Sequence, residues 1–163
     1  MAPGHNSVLK NRENDHFLVC HIREKNFTPA PEPSTMQVRR LFFSEDGWPY
    51  TEGEIYAGKE PHNFSPEELY GFYERIDLVP MLPQGISTAT PMKLGENAYY
   101  EHCSICGTWE MTGENRIKIA YGPYEETATV TMIFDRQRKK ETVALCGVRK
   151  DGTAFWAKKR EDL

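Results

Sequence analysis

Apolar and polar residues alternate through most of the second half of this chain, at the period of two that marks half-buried β-strands. Ile117, Ile119 and Tyr121 alternate with Arg116, Lys118 and Ala120. Val130, Met132 and Phe134 alternate with Thr129, Thr131 and Ile133. Ile86, Thr88, Thr90, Met92 and Leu94 form a further series, and Tyr99 to His102, Thr108 to Met111, Thr142 to Val148 and Ala154 to Lys158 are rich in β-formers. Turn signals separate them: Gly113, Gly122-Pro123, the charged run Asp135 to Lys140, and Asp151-Gly152. Strands at this spacing predict a meander closed into a barrel or sandwich, and about eight of them would close without exposed edges.

Just ahead of that series the local signals favour a helix through Asp77. Ser65-Pro66-Glu67-Glu68 is a helix start, with a capping serine, proline in the first position and glutamate three residues after the cap. Leu69, Phe72, Tyr73 and Ile76 continue at helical spacing, and periodicity alone cannot separate helix from strand here.

The first 45 residues carry a different pattern. In Phe17 to Ile22 one face holds Phe17, Val19 and His21, and the other holds Leu18, Cys20 and Ile22. Both faces are largely apolar, so this strand requires cover on both sides. Val8-Leu9 and Met36 to Phe43 read as neighbouring strands. Residues 24–35 form a proline-rich loop, because Pro29, Pro31 and Pro33 exclude helix and keep the chain extended. Residues 46–64, with Gly47, Pro49, Gly53, Gly58 and Pro61, read as a linker. The expected division is therefore 1–45, a linker at 46–64, and a barrel at 65–163.

Composition narrows the function classes. The chain has 163 residues and a net charge of −4. It has no basic stripe, so nucleic acid is not an expected partner. No apolar run approaches the ~18 residues of a membrane-spanning helix, and no membrane partner is expected. Met1-Ala2-Pro3-Gly4 leads into strand-like sequence, without the basic and apolar regions of a signal peptide. Of the four cysteines, Cys20 and Cys146 lie in apolar strands and read as small buried hydrophobes. Cys103 and Cys106 form a C-x-x-C beside His102. That spacing without a second pair is a minor zinc option only.

Gly4-His5-Asn6-Ser7, His21-x-Arg23 and Asp46-Gly47-Trp48-Pro49 follow one another in an order that resembles the closing blade of the five-bladed β-propeller of glycoside hydrolase family 43, specifically its endo-α-1,5-L-arabinanases. Gly71, Tyr73 and Ile76, then Gly107-Thr108-Trp109, Asn115-x-Ile117 and Ala154-Phe155-Trp156-Ala157-Lys158-Lys159, resemble the small β-barrel appended to many of those enzymes. The resemblance implies an all-β chain: a partial propeller blade followed by a small antiparallel β-barrel. It also implies one helical turn and then a strand across 65–78. Blade strands are covered by neighbouring blades, so residues 1–45 are expected to be under-buried alone, or paired with another chain.

The resemblance also assigns roles. His5 matches the histidine that helps hold a calcium-centred water cluster near the propeller axis in the intact enzyme. Calcium prefers oxygen ligands, so no tight calcium is expected on this chain alone; a histidine hydrogen-bonded in a turn is the other reading. His21 and Arg23 share one strand face and either orient an acidic group or form a bridge between blades. No position matches the family's catalytic carboxylates, which come from earlier blades, so no catalytic residue is assigned and the chain is expected to be inactive alone. Asp46, Asp135, Asp151, Glu110 and Glu141 read as solvated charges in turns or on open strand faces. Trp48, Tyr50 and Tyr56 near the linker could stack on sugar rings, whereas Trp109 and Trp156 read as core.

Two functional readings follow. One is the C-terminal part of an arabinan-degrading hydrolase, whose partners are the remaining propeller blades, or a complementary chain carrying them, and arabinan or a related polysaccharide. The other is a stand-alone small β-barrel module binding a carbohydrate or other small ligand, which Gly107-x-Trp109 supports by resembling lipocalin barrels over three residues.

Overall fold

Strands β1 (Ala2–Lys10), β2 (His16–Arg23), β3 (Ser34–Phe43) and β4 (Pro49–Thr51) form an antiparallel sheet in chain order. A one-turn helix α1 (Pro66–Leu69) leads into β5 (Gly71–Leu78), β6 (Thr90–Leu94), β7 (Tyr99–His102), β8 (Ile105–Gly113), β9 (Arg116–Tyr121), β10 (Tyr124–Asp135), β11 (Lys140–Arg149) and β12 (Ala154–Arg160). These eight strands close into an antiparallel barrel, with β12 pairing back onto β5 from Ala154↔Leu78 to Arg160↔Phe72. This computed structural model describes residues 2–23, 34–58, 62–79 and 87–160.

The all-β architecture, a blade-sized sheet and a separate eight-stranded barrel, is the one expected from the sequence pattern. Some boundaries differ. The loop expected at 24–35 yields Ser34 and Thr35 to β3, paired with Arg23 and Ile22; the rest of it lies outside the described residues. The stretch 46–64 contains β4, whose Thr51, Tyr50 and Pro49 pair with Leu41, Phe42 and Phe43. The alternating series expected from Ile86 begins as strand only at Thr90; Ile86 lies outside the described residues.

At 65–78 the cap wins for one turn and the sheet wins afterwards. The Ser65 N–H donates to Glu68 Oε2 at 2.8 Å, which closes the first turn. Tyr70 is already extended (φ −61°, ψ 136°), and Gly71 takes φ 142°, where a Cβ would meet Lys159 Cε at 2.9 Å. From there Tyr73 and Arg75 are buried while Phe72 lies outside, the alternation of a barrel strand.

The barrel interior is filled. Tyr73, Leu94, Tyr100, Ile117, Ile119, Leu145 and Phe155 are fully buried, and Leu69 and Phe64 close the end next to α1. Each such side chain contributes ~1.5–3 kcal/mol by leaving water. Gly107 and Gly147 permit close strand approach: an added Cβ would lie 2.2 Å from the Ala120 carbonyl oxygen and 2.4 Å from that of Thr127. Trp109 is core, as expected, with its Nε1–H donating to the Gly95 carbonyl at 3.0 Å.

The four-stranded sheet is less well covered. Phe17, Cys20 and Leu41 are buried, yet Val8, Leu9 and Met36 are 57%, 56% and 71% exposed. β1 ends the sheet and pairs on one side only, with β2.

Candidate functional site

The sequence motif at Gly4-His5 becomes a β-bulge. The β1–β2 register slips between Gly4 and Ser7, and His5 sits in the left-handed region at φ 50°. A non-glycine residue held there is uncommon, and bulges re-aim side chains. The His5 imidazole lies 5.1 Å, centroid to centroid, from that of His21 on β2. Gly4 belongs to the same arrangement, since a Cβ on it would meet His21 Cε1 at 3.3 Å. Arg23 is exposed two residues on, and its Nε–H donates to Ser34 Oγ at 3.3 Å. The structure therefore brings His5 and His21 together and leaves Arg23 on the next strand's hydroxyl.

These residues do not by themselves fit a calcium ion, because two imidazoles supply none of the oxygen ligands it takes. Among the described residues no group of three or more His, Cys, Asp or Glu side chains could hold a metal ion. His102 directs Nε2 to Thr90 Oγ1 at 2.8 Å. Cys103 and Ser104 (φ 48° and 65°) form the tip of the β7–β8 hairpin, with Cys106 on β8 beyond it. Cys146 is fully buried, which pushes its thiol up to about 12 and makes it inert.

Trp48 and Tyr50, two positions apart, separate completely. Trp48 is 64% exposed at the β3–β4 turn. Tyr50 is buried, and its hydroxyl lies 2.8 Å from Thr129 Oγ1 on the barrel's outer wall. Tyr50, Cys146 and Val148 form the core of a junction between sheet and barrel, flanked by Phe42 and Trp156. Trp156 is therefore not barrel core: it faces outward, stacks under the Arg39 guanidinium, and lies against Gly53, where a Cβ would be 3.0 Å from the indole. Arg39 also donates to the Gly53 and Glu52 carbonyls, and Lys158 pairs with Glu54 at 3.0 Å. Glu52 is buried and accepts the Arg40 N–H at 2.8 Å; desolvation raises its pKa despite that bond. Tyr56 packs on Phe17 and under Arg40.

The barrel holds a polar network that the sequence pattern did not reveal. Arg75 and Glu126 face one another inside it, 1% exposed each, joined by bonds of 2.7 and 2.8 Å. Arg75 also donates to Asp77 Oδ1 and to the Tyr100 hydroxyl, and lies 3.9 Å over the Phe155 ring. The Tyr121 hydroxyl donates to Glu126 Oε1 at 2.6 Å, and Arg149 approaches the same oxygen at 3.3 Å. Burial works against the Arg75 charge, yet bonding to Glu126 prevails and its pKa is raised. A second correction concerns Asp135. Read as a solvated turn charge, its side chain is fully buried, paired with Arg138 at 3.1 Å and Lys158 at 3.2 Å.

The described residues form a closed eight-stranded barrel with a four-stranded sheet docked on its outer wall. The family model of the GH43_C C-terminal lipocalin-like domain matches residues 53–157, and the chain belongs to that family. Among solved structures, it superimposes on the glycoside hydrolase family 43 YxiA protein from Bacillus licheniformis with a TM-score of 0.82 and 21% identity, covering 98% of this chain and 35% of that one. The endo-1,5-α-L-arabinanase from Thermotoga petrophila RKU-1 gives 0.82 and 22% over 98% of this chain and 35% of that one. Its complex with TRIS gives 0.83 and 22%, over 99% and 36%. This chain thus spans about a third of the length of those structures. No curated protein sequence matches it.

Proposed function

We propose that this chain is the C-terminal part of an arabinan-degrading glycoside hydrolase, in which its four-stranded sheet completes the catalytic propeller and its barrel is a non-catalytic accessory. The observation that carries the reading is the sheet: β1 is an edge with Val8 and Leu9 turned to water, on a unit whose fold continues into far larger glycoside hydrolase structures. An exposed apolar edge is stable in a folded protein when another sheet or chain covers it. The remaining blades provide that cover.

In this role His5, whose ring lies 5.1 Å from that of His21, would offer its imidazole to a calcium-centred water cluster whose oxygen ligands would come from the other blades. The chain alone does not hydrolyse arabinan. The test is reconstitution: the purified chain, a polypeptide carrying the remaining blades, and their mixture are each assayed for reducing ends released from linear arabinan. Activity in the mixture alone is expected. Hydrolysis by this chain alone, or a catalytic polypeptide fully active without it, would reject the proposal.

A filled interior weighs against the ligand-carrying alternative. The Arg75–Glu126 pair and the tyrosines around it occupy the space where a lipocalin-type barrel would hold a small molecule.

A further inference from the structure

We infer that the groove beneath Trp48 is a binding site for a neutral polysaccharide. It runs between the β3–β4 turn and the outer wall of β9, β10 and β11, with a volume of about 200 Å³. A single exposed tryptophan is unremarkable in itself. Here it is a fixed platform. The Ser44 N–H donates to the Trp48 carbonyl at 2.9 Å, the Trp48 N–H to Ser44 Oγ at 3.0 Å, and the Gly47 N–H to the Ser44 carbonyl at 3.0 Å. Gly47 takes φ 81°, which the turn demands. Arg116 ties the same hairpin to the barrel by donating to the Phe43 carbonyl at 3.2 Å. These bonds fix the turn that carries the indole, which lines the groove and offers a face for stacking against the C–H face of a sugar ring.

The groove walls select the ligand. Thr112 and Thr127 offer hydroxyls. Glu125 is shared between Lys118 at 2.7 Å and Lys150 at 3.4 Å. Arg149 is paired outside the groove, with Glu126 at 3.3 Å and Asp151 at 3.6 Å, and Glu45 and Asp46 bring the lining to three carboxylates against three cations. A charge-balanced set of donors and acceptors around one aromatic face suits a polyhydroxylated, uncharged chain. It does not suit a polyanion, which needs unpaired cations, or a lipid, which needs a wider apolar floor. By strand register the groove lies at the opposite end of the sheet from the His5–His21 pair.

The choice of arabinan as first probe rests on the proposed function; the groove chemistry does not. Affinity electrophoresis of this chain is run in gels containing linear arabinan, xylan or polygalacturonate. Retardation by a neutral polymer and not by polygalacturonate is expected, with Trp48→Ala weakening it about tenfold at unchanged melting temperature. Thr127→Val, which leaves the indole in place, is expected to weaken it less, and supplies the reading if Trp48→Ala does not fold. Retardation by xylan but not arabinan supports the groove and counts against the arabinan reading above. Absence of retardation by any neutral polymer, equal retardation by polygalacturonate, or full retention in both variants would overturn the inference.

Discussion

The Trp156 indole N–H donates to the Thr51 carbonyl at 2.7 Å, a bond that leaves the barrel's outer wall and ends on the last strand of the sheet. With Tyr50 against Thr129 and Lys158 against Glu54, it fixes one unit to the other. We expect Trp156→Ala to cost about 2–3 kcal/mol, below the ~3–5 of a fully buried tryptophan because this ring is only partly buried. Urea unfolding followed by circular dichroism checks this. The sheet should melt ahead of the barrel in the variant, and a single unchanged transition would argue against the junction's role.

Removing one partner of the buried ion pair should be costly. Glu126→Gln leaves the buried Arg75 guanidinium with the partly exposed Asp77 as its remaining carboxylate, and a loss of about 3 kcal/mol, the low end for breaking a buried pair, is expected. The double variant Arg75→Met, Glu126→Leu should recover most of it, since no buried charge then remains. Denaturation midpoints of the three proteins decide the matter.

His102 gives the barrel a pH dependence of definite sign. Desolvation, helped by the neighbouring Arg75 and opposed by Asp77 and Glu126, lowers its pKa from 6.5. The unfolded chain then binds the proton more readily than the folded one. Stability from this group is complete above about 6.5 and falls as pH drops through the depressed folded value. Melting temperatures between pH 7.5 and 5 should decline in the native protein and decline less in His102→Gln.

Gly147 should tolerate no side chain. A Cβ there would meet the Thr127 carbonyl oxygen at 2.4 Å and Phe155 Cε1 at 2.6 Å, both in the tight wall of the barrel. Overpacking of this kind costs ~1–3 kcal/mol or more, so Gly147→Ala should lower the melting temperature markedly. Gly113→Ala, where nothing lies within 4 Å, should not.

Local pattern made much of the fold readable. Ile117, Ile119 and Tyr121 alternate inward, and the barrel follows from many such series. The family motifs placed the blade-like sheet. What stayed hidden depends on distance along the chain. Arg75 and Glu126 are 51 positions apart, so no window of sequence reveals that they neutralise each other. Asp135 looked like a turn residue because its cover includes Lys158, from another strand. Leu69, Phe72, Tyr73 and Ile76 fit a helix equally well until Lys159, packed against Gly71, and the β12 pairing decide for a strand. Trp48 and Tyr50 differ in fate because Trp48 still belongs to the turn while Tyr50 lies in β4, paired with Phe42 and packed on the barrel.

Since Tyr50 and Trp156 clamp sheet to barrel, the two units share their free energies. Whatever docks against the open edge at Val8 and Leu9 would raise the melting point of a barrel it never touches, by mass action alone. The accessory module would then act as a remote gauge of whether the edge has found its neighbour.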